Sequence, residues 1–279
     1  MTGASASGPD PGRSDCFDFG GIPVALTSAS ADWSDLLRPR YEPFACDRPP
    51  RYRIAYSVDD PRPPSPELLH DARQRPVEVH RQGSRLTVDG AAFRIELDRE
   101  TGSGKMSGPL ATYPIDFLVQ TLWYELVTDG LIFHAAALAD DRRGWLLCGP
   151  SGAGKSTLAG LFPERALCDE LAGVRAGSGC AGGAPAVTAL PFWSGRRGTE
   201  PLAGIYLLRH DRRNHRRRLD ARTACERLRR QVVWPASDET ALRRAFAAFF
   251  DLLERVPVWE LGFRPETTVW SVIAQEADA

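Results

Sequence analysis

Lysine is almost missing from this sequence, although basic residues are common. Of the 35 basic residues, Lys105 and Lys155 are the two lysines and every other one is arginine. Zinc-binding cysteine pairs are also missing, since no C-x-x-C occurs and no histidine is spaced to complete such a site. We therefore expect the cysteines to be reduced thiols, as in the cytosol. They are Cys16, Cys46, Cys148, Cys168, Cys180 and Cys225.

The sequence also has little net charge and no long apolar run. Its 35 basic and 36 acidic residues give a net charge of -1, so no overall field attracts nucleic acid or an anionic membrane. No run of about 18 apolar residues occurs, and residues 1–15 lack the basic start and apolar core of a secretory signal. We expect a cytoplasmic protein with a disordered leader at 1–15 that binds neither nucleic acid nor membrane.

The spacing of apolar residues divides the rest of the chain in two. Short alternating runs from Ile22 to Leu97, separated by Pro, Gly and Asp, predict a β-rich N-terminal domain at 16–128. Helical spacing from Tyr113 to Thr128 predicts a bridging helix at its end. Strands alternating with helical patterns then predict an α/β domain at 129–279. The sequence Gly102-Ser-Gly-Lys105, which resembles half of a phosphate-binding loop, is expected to form a turn.

A glycine-rich motif lies between a predicted strand and a predicted helix. Residues 149–156 match G-x-x-x-x-G-K-[ST], the P-loop pattern. Glycines permit positive φ, so successive N–H groups can cradle phosphate oxygens, while Lys155 spans the β- and γ-phosphates and Ser156 ligates Mg²⁺. The flanking strand and helix disfavour a chance turn. The predicted nucleotide-binding residues are Gly149, Pro150, Ser151, Gly152, Ala153, Gly154, Lys155, Ser156 and Thr157.

Two adjacent carboxylates follow the predicted P-loop helix. Asp169 and Glu170 stand at the end of the apolar run Ala166 to Cys168, after Pro163 should have ended the helix. Phosphoryl transfer needs charge neutralisation and a proton acceptor for the attacking hydroxyl, and Asp169 is the first choice for that acceptor. We expect one carboxylate to face Mg²⁺ and the other the substrate. The alternative is a solvated Asp-Glu turn.

These features stand in the order typical of a known family. His134 in the strand before the P-loop, the loop itself and Asp169-Glu170 resemble the HPr kinase/phosphorylase superfamily, in particular its shorter HPr-kinase-related members, over 130–265. The resemblance implies an α/β fold with a P-loop kinase domain of the HPr-kinase/PEP-carboxykinase-like type, which uses ATP and Mg²⁺. It gives active-site roles to His134, Lys155, Ser156 and Asp169, with Glu170 in place of the family's second aspartate. From the residues alone, His134 remains open to interpretation as a core histidine bonded to a carbonyl.

The resemblance implies a kinase that transfers the γ-phosphoryl group of ATP to a serine-like hydroxyl. Related kinases beside lasso-peptide and other natural-product genes phosphorylate a precursor peptide, so a peptide, including a lasso-peptide precursor, or a small molecule is the expected acceptor. The family's His-Gly is His134-Ala135 here, and the later signature of the bifunctional enzymes is not recognisable. The alternative is a nucleotide-binding regulatory or scaffold protein in which ATP orders an Arg-rich segment without transfer. A PEP-carboxykinase-type enzyme ranks below both.

Three further segments carry weaker signals. The turn Leu190 to Gly195 resembles a Gly/Pro/Trp loop that related kinases place near the acceptor. Arg209 to Arg230 is rich in arginine, which fits either a dock for an acidic peptide or phosphate, or a solvated surface. The helical pattern Ala245 to Leu253 predicts a core helix or the interface of a homo-oligomer.

Overall fold

The computed structural model describes residues 15–30, 33–59, 77–177, 183–192, 195–235 and 238–275. The chain forms two compact units, Met1–Asp18 with Ile22–Leu118 and Phe19–Gly21 with Val119–Ala279. The expected mixture of α and β structure is confirmed. Residues 1–14 of the predicted leader lie outside the described residues. Within the described parts of the chain, no helix is both long enough and apolar enough to cross a membrane.

The first unit contains a seven-stranded sheet with the order β1-β2-β3-β7-β6-β5-β4. The pairs β2–β3 and β3–β7 are parallel and the others are antiparallel. A π-helical turn at Trp33–Leu37, helix α1 (Arg38–Tyr41) and a 3-10 turn at Glu42–Phe44 connect β2 to β3. The strands are β1 (Asp15–Asp18), β2 (Pro23–Thr27), β3 (Tyr52–Val58), β4 (Glu78–Gln82), β5 (Arg85–Asp89), β6 (Arg94–Asp98) and β7 (Ser103–Gly108).

The glycine-rich segment that was expected to form a turn is instead a central strand. Most of it belongs to β7, which pairs with β3 on one side and β6 on the other. A Cβ at Gly104 would lie 2.7 Å from the carbonyl oxygen of Glu96 and 2.8 Å from Ile54 Cδ1, so glycine permits this close packing. Hydrogen bonding to two neighbouring strands overrides the local turn preference of residues 103–105, so the expectation of a turn was wrong for them and holds only for Gly102, whose φ is +64°.

The second unit contains the remaining strands. They are β8 (Gly130–Ala139), β9 (Gly144–Cys148), β10 (Ala166–Cys168), β11 (Leu171–Arg175), β12 (Ala186–Ala189), β13 (Thr199–His210), β14 (His215–Arg218) and β15 (Val258–Phe263). Residues 130–134 of β8 pair with β11, and residues 135–139 pair with β9. Strand β11 also pairs with β12, β12 with β13, and β13 with β9. The five strands β8, β11, β12, β13 and β9 therefore close into a ring.

Five helices complete the described structure after α1. They are α2 (Tyr113–Leu126), α3 (Lys155–Leu161), α4 (Ala221–Leu228), α5 (Glu239–Arg255) and α6 (Val269–Ile273). The carboxylates of Asp220 and Asp238 accept backbone N–H groups at 2.9 and 3.1 Å and cap the N-termini of α4 and α5. On α5, Phe249 is buried, whereas Phe246 and Phe250 are 45% and 54% exposed. The predicted core helix therefore also presents apolar surface to solvent.

Helix α3 is anchored by the core of the second unit. Its Leu158 and Ala159 belong to one buried cluster with Ala136 and Leu138 of β8 and with Phe263 of β15. Burial of Leu158, worth about 1.5–3 kcal/mol, together with the contacts of the smaller Ala159, fixes this short helix on the sheet. The loop that precedes α3 is thereby held at the end of β9.

Candidate phosphate-binding site

The P-loop connects β9 to α3 through two glycines with positive φ. Gly152 has φ +78° and Gly154 has φ +98°, a region that side chains with a Cβ rarely adopt. A Cβ at Gly154 would also lie 2.6 Å from Cζ of Phe263. Glycine is therefore required at 154 for two reasons, backbone conformation and space.

The ammonium group of Lys155 lies against the inside of this loop. Lys155 is 7% exposed, and its Nζ donates to the carbonyl oxygens of Gly149 at 2.8 Å and Pro150 at 3.3 Å. Burial lowers the pKa of Lys155, and the charge of Glu170 opposes that shift. The loop carbonyls therefore hold the buried ammonium group of Lys155, the first residue of α3.

His134 lies next to the start of the loop. It is exposed, while the other nine residues of β8 are buried, so it is not a core histidine. The neighbouring Ala135 pairs with Cys148, the last residue before the loop. Since side chains alternate along a strand, His134 lies on the same face as Ala136, which belongs to the core cluster with α3. Partial burial lowers the pKa of His134, the Lys155 charge lowers it further, and Glu170 raises it.

The carboxylates of Asp169 and Glu170 follow β10, which pairs with β8 on the edge opposite to β9. Asp169 and Glu170 form the two-residue link between β10 and β11, and the Glu170 carbonyl accepts the N–H of Ala135 at 2.9 Å. The Glu170 charge raises the pKa of both His134 and Lys155. Asp169 is half-buried, and its charge contributes to the raised pKa of Cys168. Glu170 is therefore close enough to the loop for its charge to favour the protonated forms of His134 and Lys155.

Ser156 and Thr157 are exposed residues on the first turn of α3. Within the described ranges, no group of three His, Cys, Asp or Glu side chains is arranged to hold a metal ion. A magnesium ion in a P-loop site needs fewer protein ligands, because it keeps waters and binds phosphate oxygens. The predicted ligands of this ion have hard oxygen donors and lie on two elements: Ser156 on the first turn of α3, and Asp169 and Glu170 between β10 and β11.

Gly195, the last residue of the predicted turn at Leu190 to Gly195, lies beside the strand that leads to Asp169. Gly195 forms an isolated bridge with Cys168, and the N–H of Arg196 donates to the Leu167 carbonyl at 3.0 Å. A Cβ at Gly195 would overlap the carbonyl oxygen of Leu167. Trp193 and Ser194 of this turn lie outside the described residues, as does Cys180.

Sequence reasoning missed two rings that contact the loop. His210 ends β13 and pairs in register with Phe263 of β15, with ring centroids 5.3 Å apart. The Nε2 atom of His210 lies 3.1 Å from the carbonyl oxygen of Gly152. The sequence signal was a histidine just beyond the apolar run that ends at Leu208, but nothing local indicated that this run forms a strand parallel to β9.

The arginine-rich segment is partly occupied by contacts within the unit. Arg227, Arg217 and Arg209 approach the carboxylate of Glu260 at 2.6, 3.2 and 3.8 Å. Hydrogen bonding to Arg227 is the largest cause of the lowered pKa of Glu260. Arg216 lies over the ring of Trp259 at 4.3 Å. These contacts support the interpretation of much of this segment as a structural surface.

Comparison with known proteins adds no assignment: no protein-family model matches the chain, and no curated protein matches it. A functional assignment therefore depends on the geometry of the loop and its neighbours.

Proposed function

We propose that the chain is an HPr-kinase-like, ATP-dependent kinase that transfers the γ-phosphoryl group to a serine-like hydroxyl of a peptide or small molecule. The observation that carries this proposal is a loop of P-loop sequence between β9 and α3, in which Gly152 and Gly154 have positive φ and the Lys155 ammonium group is held by loop carbonyls. The pKa values of Lys155 and of the neighbouring His134 are both lowered, chiefly by burial. Perturbed titratable groups that gather at one place favour a functional site over a solvated turn.

The loop residues bind and orient the nucleotide in this proposal. Glycines 152 and 154 keep the backbone compact, so N–H groups can approach phosphate oxygens. Lys155 contributes a positive charge that is already held inside the loop, which stabilises charge developing on the transferred group. Magnesium, held by Ser156 and an acidic side chain, would supply further charge neutralisation.

The acidic pair and His134 manage the proton of the acceptor hydroxyl. As the hydroxyl oxygen bonds to phosphorus and the bond to the leaving oxygen breaks, the hydroxyl proton must pass to a base. Asp169 remains our first candidate, and Glu170 is supported by its effect on His134 and Lys155. The lowered pKa of His134 favours a neutral imidazole at neutral pH, which adds no positive charge that would pair with this base.

The acceptor is expected to bind beside the acidic pair. Gly195 bridges to Cys168, the last residue of β10 and the neighbour of Asp169, which supports a role for the 190–195 segment on the acceptor side. A cytoplasmic location is proposed with this function, because ATP and reduced thiols belong to that compartment. The five cysteines among the described residues are free.

The direct test is to incubate the purified protein with Mg-ATP and the peptides and hydroxyl metabolites specified by its neighbouring genes. Mass spectrometry should detect a product one phosphoryl group heavier with the natural protein and none with Lys155→Ala. Asp169→Asn and Glu170→Gln, compared for transfer and for ATP binding, should identify the base as the residue whose loss impairs transfer far more than binding. ATP binding without any phosphorylated product would instead support the nucleotide-binding regulator.

A further inference from the structure

One peptide unit of the P-loop has both of its polar groups fixed. The carbonyl oxygen of Gly152 lies 3.1 Å from Nε2 of His210. The N–H of Ala153, which belongs to the same peptide unit, donates to the carbonyl oxygen of Pro150 at 3.1 Å. Because C=O and N–H point in opposite directions across a trans peptide bond, the first contact determines where the second group points.

The side of the loop that receives this N–H is the side of the buried cation. Lys155 Nζ contacts the same Pro150 oxygen, at 3.3 Å. The Ala153 N–H therefore faces the interior of the loop, and the Gly152 carbonyl faces away from it. A reversed peptide would turn a carbonyl oxygen, with its partial negative charge, toward the place where phosphate oxygens bind.

The contact also defines the hydrogen-bonding role of His210. A carbonyl oxygen can only accept, so Nε2 must carry the proton and donate. The ring is held from the other side by Phe263, with which it makes a tilted contact at 5.3 Å between centroids. A Cβ at Gly154 would lie 3.5 Å from Cε1 of His210, so the rings of His210 and Phe263 both lie against Gly154.

We propose that His210 is a positioning residue for phosphate binding: its Nε2–H holds the Gly152 carbonyl outward and thereby keeps the Ala153 N–H directed into the loop, where a phosphate oxygen replaces the Pro150 carbonyl as its acceptor when the ligand binds. The inference rests on the proposed binding of ATP by this loop and adds a residue outside the G-x-x-x-x-G-K-[ST] motif. His210 itself touches neither the nucleotide nor the acceptor in this role.

The test uses three substitutions in the full chain and two ligands. His210→Gln keeps an amide donor close to the Nε2 position, His210→Asn is too short to reach the carbonyl, and His210→Phe keeps the ring without the donor. His80→Phe, an exposed histidine of β4 in the first unit, is the matched control. Calorimetry gives the Kd for ATP and for inorganic triphosphate, and melting curves report folding.

We expect His210→Phe and His210→Asn to weaken binding of both ligands by about fivefold to tenfold, the effect of one lost hydrogen bond of about 1–1.4 kcal/mol. His210→Gln and His80→Phe should bind like the natural protein. Since inorganic triphosphate lacks base and ribose, an equal loss for both ligands assigns the effect to phosphate.

Different outcomes overturn different statements. If the natural protein binds neither ligand, the proposed function fails and this inference fails with it. If the natural protein binds both and His210→Phe or His210→Asn binds equally well, only the role of His210 is refuted. If His210→Phe does not fold, the pair His210→Gln and His210→Asn still decides, because equal affinities in those two variants would contradict a donor role.

Discussion

Replacement of Lys155 by alanine should remove most of the transfer activity and leave the second unit folded. Preorganised charges and donors aimed at developing charge are worth about 100-fold to 1,000-fold in turnover when one is deleted. Lys155 is the cation that the loop carbonyls of Gly149 and Pro150 hold in place. We therefore expect kcat for phosphorylation of the acceptor with Mg-ATP to fall by at least about 100-fold.

The effect on stability should be much smaller. The lost donations to the carbonyls of Gly149 and Pro150 cost about 1 kcal/mol each, but Pro150 keeps the Ala153 N–H at 3.1 Å. The substitution also removes an ammonium group whose pKa is lowered by burial, so folding no longer desolvates that charge. The free energy of unfolding should fall by about 1–2 kcal/mol, which lowers the Tm by roughly 2–8 °C.

The other lysine of the chain provides the control. Lys105 has a side chain that is 70% exposed and pairs with Glu96 at 3.1 Å, a surface pair worth under about 1 kcal/mol. Lys105→Ala should therefore match the natural protein in both turnover and melting temperature. Turnover of Lys155→Ala equal to that of Lys105→Ala would refute the phosphate role, and loss of the folded state in Lys155→Ala would refute the stability reasoning.

Three further predictions concern the surroundings of the loop. The pKa of His134 is lowered from the ordinary histidine value of 6.5, so the imidazole should stay neutral, and transfer should stay active, as the pH is lowered to 6.5. Transfer rates measured from about pH 5 to 8 should fall only below pH 6.5; a fall that already begins above pH 6.5 as the pH is lowered would contradict this. Glu260→Gln should lower stability by about 1–3 kcal/mol at neutral pH. Because the folded pKa of Glu260 is lowered from 4.5, its contribution is present above pH 4.5 and is lost as the pH falls through the folded value; chemical denaturation should show the gap between natural protein and variant closing in acid. Gly195→Ala should cost about 1–3 kcal/mol through its overlap with Leu167, and an unchanged melting temperature would show that the turn adapts.

The sequence could predict the elements whose determinants are local. Helices α2 (Tyr113–Leu126) and α5 (Glu239–Arg255) lie where apolar periodicity predicts helices, at Tyr113 to Thr128 and Ala245 to Leu253. The loop at 149–154 does lie between a strand and a helix, because three glycines, a preceding apolar run and a following amphipathic turn stand within a few residues of one another.

The tertiary structure decided which side chains lie next to one another. Glycine-rich β7 became a central strand only because β3 and β6 bond it from both sides. Glu170 reached His134 and Lys155 because β8 is flanked by β9 and by the link after β10. His210 and Phe263 reached the loop because β13 lies parallel to both β9 and β15. Such pairings depend on hydrogen bonds and burial shared between distant segments, and a local sequence pattern contains no information about which distant segment will be the partner.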